Sequence, residues 1–166
     1  MSYSIIKKIS ISFLFCLSIV IQGCLQEESN LKDASKAYKS GDYKRAAEIF
    51  IPEAKKGNPE ALVNIAFMHY CGLHVKQNYE LAAKYYMQAA ELNNVNAQFS
   101  LGTMYENGEG VNQDKEKAYF WYLIAENNGD EDAKQLRISL SSEMTEDNIK
   151  QVEKEMNAWY AKKQNK

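Results

Sequence analysis

The middle of the chain repeats itself with a period of 36 residues. At this offset, small residues fall on small residues and aromatic residues fall on aromatic ones. The matched pairs include Ala61 with Ala97, Met68 with Met104, Gly72 with Gly108, Ala82 with Ala118, and Tyr86 with Tyr122. A fixed period of about 20 to 50 residues is typical of stacked supersecondary units, each of which buries its apolar face against its neighbours. The repeat therefore predicts a solenoid.

Each unit contains two segments with helical periodicity separated by a turn, which predicts a helical hairpin. In the third unit we expect a first helix, helix A, over about 96–106 and a second, helix B, over about 115–128. Neither helix buries its apolar stripe alone, so the hairpins must stack. The expected fold class is all-α, a short right-handed α-solenoid of stacked helical hairpins.

The period also divides the chain into segments. We expect a helical hairpin in residues 31–58, one repeat in 59–94, a second in 95–130, and C-terminal capping helices in 131–166. Within the last segment, we expect one helix over about 131–140 and another from a capping signal at 145–147 to about residue 162. This last helix is charged on most sides, as the end of a solenoid must be.

The loop over residues 106–111 carries two glycines and resembles a loop that binds phosphate. One period earlier the first glycine persists as Gly72, but His74 stands in place of Gly110. Neither loop follows a strand or contains the Gly-Lys-Ser sequence of a phosphate-binding loop. We therefore interpret the loop as a bend in which Gly72 and Gly108 adopt a positive φ where helix A ends.

The first 23 residues predict a secretory signal peptide of the lipoprotein type. They contain Lys7 and Lys8, then a mostly apolar run of 13 residues, and no acidic residue. That run is shorter than the roughly 20 residues that cross a membrane. The sequence at Ile21 to Cys24 resembles a bacterial lipobox, which implies that Cys24 becomes the lipidated N-terminus. The alternative is an ordinary signal peptide that happens to contain a cysteine.

A lipidated Cys24 implies that residues 24–30 form a tether between the fold and a membrane. The protein is then expected in the periplasm, anchored by its lipid. Leu25, which stands where an aspartate would otherwise follow the cysteine, is compatible with the outer membrane of a Gram-negative bacterium. The membrane is thus expected as a partner through the N-terminal lipid.

The composition argues against several kinds of partner and cofactor. Residues 24–166 carry 18 basic and 22 acidic side chains, a net charge near −4, and nucleic-acid binding calls for a basic face. Cys71 is the only thiol left once Cys16 is removed with the signal peptide and Cys24 is acylated, so no disulfide and no cysteine metal site is expected. The two histidines, His69 and His74, lack the spacing of a zinc site. We predict no metal and no cofactor.

No catalytic set of residues stands out in the sequence. Glu106, Glu109 and Asp114 cluster near one turn, and we interpret them as part of a solvated polar loop. Helical repeats offer no nucleophile elbow, and no Ser/His/Asp set is recognisable. The prediction is a protein without enzymatic activity, because function must be argued from a site and none is visible.

Residues 59–94 and 95–130 resemble Sel1-like repeats, which are relatives of tetratricopeptide repeats. The resemblance rests on Ala-Gln, Leu-Gly, Met-Tyr, Asn-Gly-x-Gly-Val, Gln-Asp and Trp-Tyr in the third unit. The second unit departs from this pattern at Ala66 and His74. Residues 31–58 are closer to the tetratricopeptide form. The resemblance implies a protein that binds other proteins.

Such repeats form a concave groove, lined by the A helices, that holds an extended peptide or a helix of a partner. If the register with tetratricopeptide repeats is right, the side chains that point into this groove are Tyr38, Val63, Phe67, Tyr70, Phe99, Thr103, Glu106 and Asn107. The alternative for the aromatic residues is burial in the core.

Two functions agree with this interpretation. One is an envelope-anchored interaction module that recruits a partner polypeptide. The other is an immunity protein that neutralises a secreted antibacterial toxin, such as a phospholipase effector, in the periplasm, a role known for small Sel1-like lipoproteins. An inhibitor needs a rigid and highly complementary surface, whereas a scaffold binds a flexible segment weakly.

Overall fold

The computed structural model describes residue 26 and residues 28–164, whose regular structure is entirely helical. The predicted signal peptide, and Cys24 with it, lie outside the described residues. The chain divides into two compact units, Met1–Ile49 and Phe50–Lys166. Among the described residues, eight helices and no strand are present, and the predicted all-α repeat fold is confirmed.

The described part of the first unit contains helix α1, residues 28–39, and the beginning of α2, Tyr43–Lys55, which crosses the boundary between the units. Asp42 closes the turn between them, since its N–H donates to the carbonyl of Ala37 at 2.9 Å and its carboxylate accepts from the N–H of Arg45 at 3.0 Å. Helix α1 includes residues 28–30, which we expected to belong to the tether.

The second unit continues with six helices: α3 (Pro59–Cys71), α4 (Tyr79–Glu91), α5 (Val95–Asn107), α6 (Lys115–Asn127), α7 (Glu131–Ser141) and α8 (Glu146–Gln164). Helices α3 and α4 form one hairpin and α5 and α6 form the next, with α4 packed against α5. Helices α7 and α8 both pack against α6. The expected helices A and B of the third unit are α5 and α6, with ends within one residue of the prediction.

Asparagine and aspartate side chains begin five of these helices with the period of the repeat. Each accepts a hydrogen bond at 2.8–3.1 Å from the backbone N–H three residues later, which satisfies a donor that the helix leaves unpaired. The capping residues are Asn58, Asn94 and Asp130 in the A positions and Asn78 and Asp114 in the B positions. The starts of these helices recur every 36 residues because the capping residues recur at that spacing.

The loops after α3 and α5 have the same backbone conformation. Gly72 and Gly108 cap the two helices at φ values of 73° and 74°, as the sequence predicted. In each loop a glutamine side chain donates to a carbonyl in the last turn of the helix, Gln77 to Tyr70 at 2.9 Å and Gln113 to Glu106 at 2.8 Å. The loop is thus held as a bend by its own side chains.

The buried glutamine of the Ala-Gln motif joins three helices. Gln98 on α5 is fully buried; its amide donates to the carbonyl of Ala90 on α4 at 3.3 Å and accepts from the amide of Asn128, the C-cap of α6, at 2.9 Å. A buried amide is stable only when its polar atoms have partners. Gln98 therefore fixes α5 between its two neighbours.

An ion pair joins α7 to α6. The Arg137 guanidinium donates to the Glu126 carboxylate, donates to the Tyr119 hydroxyl at 3.0 Å, and lies 5.4 Å from the centre of the Tyr119 ring. The side chains of Arg137 and Glu126 are only 19% and 22% exposed. Removing one member of a largely buried pair leaves the other charge without a partner.

We expect Arg137→Met to lower the free energy of unfolding by about 2 kcal/mol, because Glu126 loses its cation and Tyr119 loses a donor. Urea denaturation followed by circular dichroism measures the effect. Lys134→Met is the matched control on the same helix, since Lys134 pairs with the largely exposed Glu131 and should change stability by less than about 0.5 kcal/mol. Equal effects of the two substitutions would contradict the structural role of Arg137.

Candidate functional site

A cavity of about 170 Å³ opens between the A helices α3 and α5, with α4 behind it. Its lining is mostly apolar and aromatic: Phe67, Tyr70, Tyr86, Phe99, Ser100, Thr103 and Met104. We call this cavity and its lining residues the α3–α5 groove. It lies within the second unit of the chain.

The groove has a buried base and an exposed wall. Tyr86 and Met104 belong to the buried core, whereas Phe67 is 40% exposed and Phe99 is half-buried. An aromatic side chain this exposed beside an apolar cavity is typical of an interaction surface. Phe67 therefore does not pack into the core, whereas Phe99 is half-buried and packs against the core cluster that contains Tyr122.

Four of the residues predicted for the groove line it: Phe67, Tyr70, Phe99 and Thr103. The predicted role of these residues in binding stays a prediction. Ser100 also lines the groove and was not predicted, although it lies one helical turn before Thr103 and that spacing could have identified it. Tyr86 was not predicted either, because it reaches the groove from a B helix.

The other predicted residues lie elsewhere. Val63 is half-buried on α3, and Asn107 is exposed at the end of α5; neither lines the cavity. Tyr38 belongs to the first unit, where its ring lies edge-on to Tyr43 at 5.4 Å between ring centres. Glu106 lies in the last turn of α5.

Tyr70 connects the groove to the loop that follows α5. Its hydroxyl donates to Glu109 Oε2 at 2.7 Å, and its ring lies edge-on to Tyr79 at 5.0 Å between centres. The hydrogen bond to Glu109, followed by burial, raises the pKa of Tyr70 to about 12. Glu109 is therefore a contact between consecutive repeats, and the structure corrects our interpretation of it as part of a solvated loop.

Tyr122 forms a similar contact within the third unit. Its hydroxyl donates to Glu106 Oε2 at 2.7 Å and lies 3.2 Å from the hydroxyl of Thr103, and its ring centre is 6.0 Å from that of Phe99. Burial, followed by the bond to Glu106, raises the pKa of Tyr122. Asp114, the third acidic residue of the predicted polar loop, caps α6. All three carboxylates thus have defined structural partners.

The histidines and the cysteine do not form a reactive cluster. His69 stacks on Tyr85 with 5.9 Å between ring centres, and His74 is exposed. Cys71 is a free, exposed thiol. Among residues 28–164, no group of three His, Cys, Asp or Glu side chains is placed to hold a metal ion. No helix in the described part of the chain combines the length and apolar character needed to cross a membrane.

Comparison with known structures supports the repeat architecture. A Sel1 repeat protein from Oxalobacter formigenes is 30% identical and superposes with a TM-score of 0.65 over 68% of this chain and 46% of its own. The c5321 protein, a protective antigen of uropathogenic Escherichia coli with an SLR fold, is 25% identical, with a TM-score of 0.76 over 80% of this chain and 29% of its own. The chain spans less than half the length of either protein.

Comparison at the level of sequence gives the family. No curated protein matches the chain significantly. The family model of the Sel1 repeat matches residues 59–94 and again residues 95–130, the two hairpins whose A helices form the groove. Residues 59–130 of this chain are thus two Sel1 repeats.

Proposed function

We propose that this protein is a non-enzymatic interaction module that binds a partner polypeptide through the α3–α5 groove. Sel1 repeats are commonly protein-interaction modules. The observation that carries the proposal is the exposed Phe67 in the wall of an apolar cavity between two A helices. Exposed aromatic side chains around a cavity are typical of the residues that dominate binding energy in protein interfaces.

The dimensions of the cavity favour a polypeptide over a small molecule. Sites for drug-sized ligands have volumes of about 300 to 1,000 Å³. The cavity between α3 and α5 has about 170 Å³ and suits a single anchoring side chain. Its base, formed by buried Tyr86 and Met104, is part of the core and is therefore already ordered before binding.

Capture of partners by the purified chain tests the proposal. We expect Phe67→Ala and Phe99→Ala each to weaken partner binding by at least about tenfold, because each removes a wall of the cavity. Leu92→Ala is the matched control, since Leu92 is 51% exposed and does not line the groove. Circular dichroism establishes that each variant is folded. If both phenylalanine variants are folded and still retain the partner, the groove is not the binding face.

The captured partner also separates the two roles that the sequence left open. A secreted antibacterial toxin that loses its activity on binding would identify an immunity protein. An envelope protein that keeps its own activity would identify a scaffold. Both roles use the same groove in this proposal, so the identity of the partner, rather than the site, distinguishes them.

We also propose that the chain is anchored in the bacterial envelope by a lipid on Cys24, on the strength of the lipobox-like sequence that precedes this residue. Cys24→Ser should abolish the incorporation of labelled palmitate in cells and release the protein from the membrane fraction. Cys71→Ser is the control and should leave labelling unchanged. Undiminished labelling of the Cys24→Ser variant would remove the anchor from the proposal.

A further inference from the structure

The α3–α5 groove has negative charge at one end. Glu106 lies in the last turn of α5, next to the Tyr122 and Thr103 hydroxyls, and Glu109 receives the hydroxyl of Tyr70. Tyr70 and Thr103 themselves line the cavity. Both carboxylates therefore lie one side chain away from the cavity, at the C-terminal end of the two A helices.

The hydrogen-bond partners of these two carboxylates are tyrosine hydroxyls. Within residues 28–164, neither carboxylate forms an ion pair. A hydroxyl positions a carboxylate without neutralising it. Helices α3 and α5 contain no lysine and no arginine, and their C-terminal ends add partial negative charge from their last carbonyl groups. The negative potential at this end of the groove is thus available to a partner.

We infer that the groove binds a polypeptide segment in which an apolar side chain is followed or preceded closely by a lysine or arginine. The inference rests on the proposed function of the groove. The apolar side chain occupies the cavity between Phe67 and Phe99, and the cation reaches Glu106 or Glu109 at its end. The net negative charge of the chain beyond Gly23 favours the same class of partner during encounter.

The charge pairing should contribute mainly to selectivity and to the rate of association. Ion pairs at the rim of an interface add little affinity, whereas matched charges steer encounter and disfavour acidic partners. We expect a segment with the lysine or arginine to bind about fivefold more tightly than the same segment without it. This difference in affinity should shrink as the salt concentration rises.

A peptide-display library tests the inference with the full chain as the immobilised target. The library contains ten-residue segments with phenylalanine fixed at the centre and random flanks. We expect lysine and arginine to be enriched next to the phenylalanine with the wild-type chain. The enrichment should disappear with the double variant Glu106→Gln, Glu109→Gln, whose amide oxygens still accept the tyrosine hydroxyls.

A second double variant, Glu153→Gln with Glu155→Gln, is the matched control. It removes the same net charge from exposed positions on α8 and should keep the enrichment of basic residues. Persistence of the enrichment in the Glu106→Gln, Glu109→Gln variant would overturn the inference. So would its loss in the α8 control, because the effect would then follow net charge alone.

The same library separates failure of this inference from failure of the proposed function. Segments that require Phe67 and Phe99 for binding but show no enrichment of basic residues would overturn the inference and leave the groove as the binding site. Segments whose binding is unaffected by Phe67→Ala and Phe99→Ala would overturn the proposed function and the inference together, as would a selection that enriches no segment.

Discussion

Gly110→Ala should lower the free energy of unfolding by about 3 kcal/mol or more, the largest loss that we expect from a single methyl group in this chain. A Cβ at Gly110 would lie 2.2 Å from both the carbonyl carbon and the oxygen of Tyr79 and 2.6 Å from the nitrogen of Glu80. These are backbone atoms at the start of α4, so no side-chain rotation relieves the contact. The loop after α5 would have to separate from the preceding repeat.

Two comparisons isolate this contact from the cost of a positive φ. Gly108→Ala has the same backbone requirement, with φ 74°, but its Cβ would lie 3.2 Å from the side chain of Gln113, and we expect a loss of about 1 kcal/mol. His74, one period before Gly110, already tolerates φ 61°. Thermal and urea denaturation of the wild type and the two variants measure the two losses of stability. Equal losses for Gly108→Ala and Gly110→Ala would contradict the predicted role of the contact with Tyr79.

Gly102→Ala should lower the free energy of unfolding by about 2 kcal/mol, although alanine is the better helix former by about 1 kcal/mol. A Cβ at Gly102 would lie 2.4 Å from two ring carbons of Tyr122. The ring is buried and its hydroxyl is held by Glu106. Because the ring is buried and held at its hydroxyl, we expect the substitution to push α5 and α6 apart and distort the groove.

The counterpart of Gly102 in the second unit provides the control. Ala66 occupies the same position in α3 and is fully buried, so a methyl group is accommodated there. We expect Ala66→Gly to lower the free energy of unfolding by about 1 kcal/mol. At position 102 the protein with alanine should thus be less stable than the protein with glycine, whereas at position 66 it should be more stable. Urea denaturation gives both values. A Gly102→Ala variant as stable as the wild type would show that the Tyr122 ring moves freely.

The sequence contained information on the helix boundaries beyond that given by its apolar periodicity. The apolar periodicity placed α5 and α6 within one residue of their ends. The starts of α3 to α7 were also marked by Asn or Asp, and these residues recur at a spacing of 36 residues, as at Asn58, Asn94 and Asp130. A capping side chain acts locally, so this signal is readable without tertiary structure.

The candidate site was only partly predictable. Helical spacing identified Phe67 and Phe99, because Phe67 has the register of Thr103 on the next A helix and Phe99 lies one helical turn before Thr103. It could not identify Tyr86, which reaches the groove from the B helix behind it. Nor could it pair Glu109 with Tyr70, which is 39 residues away. That contact depends on the distance and angle between stacked hairpins, which a period in the sequence does not report.

By itself, the sequence determined the number of hairpins, the face that each helix buries and the points where helices begin, because periodicity and capping are local properties of the chain. Only the tertiary structure decided which aromatic rings stay exposed and which carboxylates lie beside them. Burial at one position depends on the size of the side chain that faces it from the next helix, as Gly102 and Tyr122 show. The chemistry of the groove is therefore a property of the stack rather than of any single repeat.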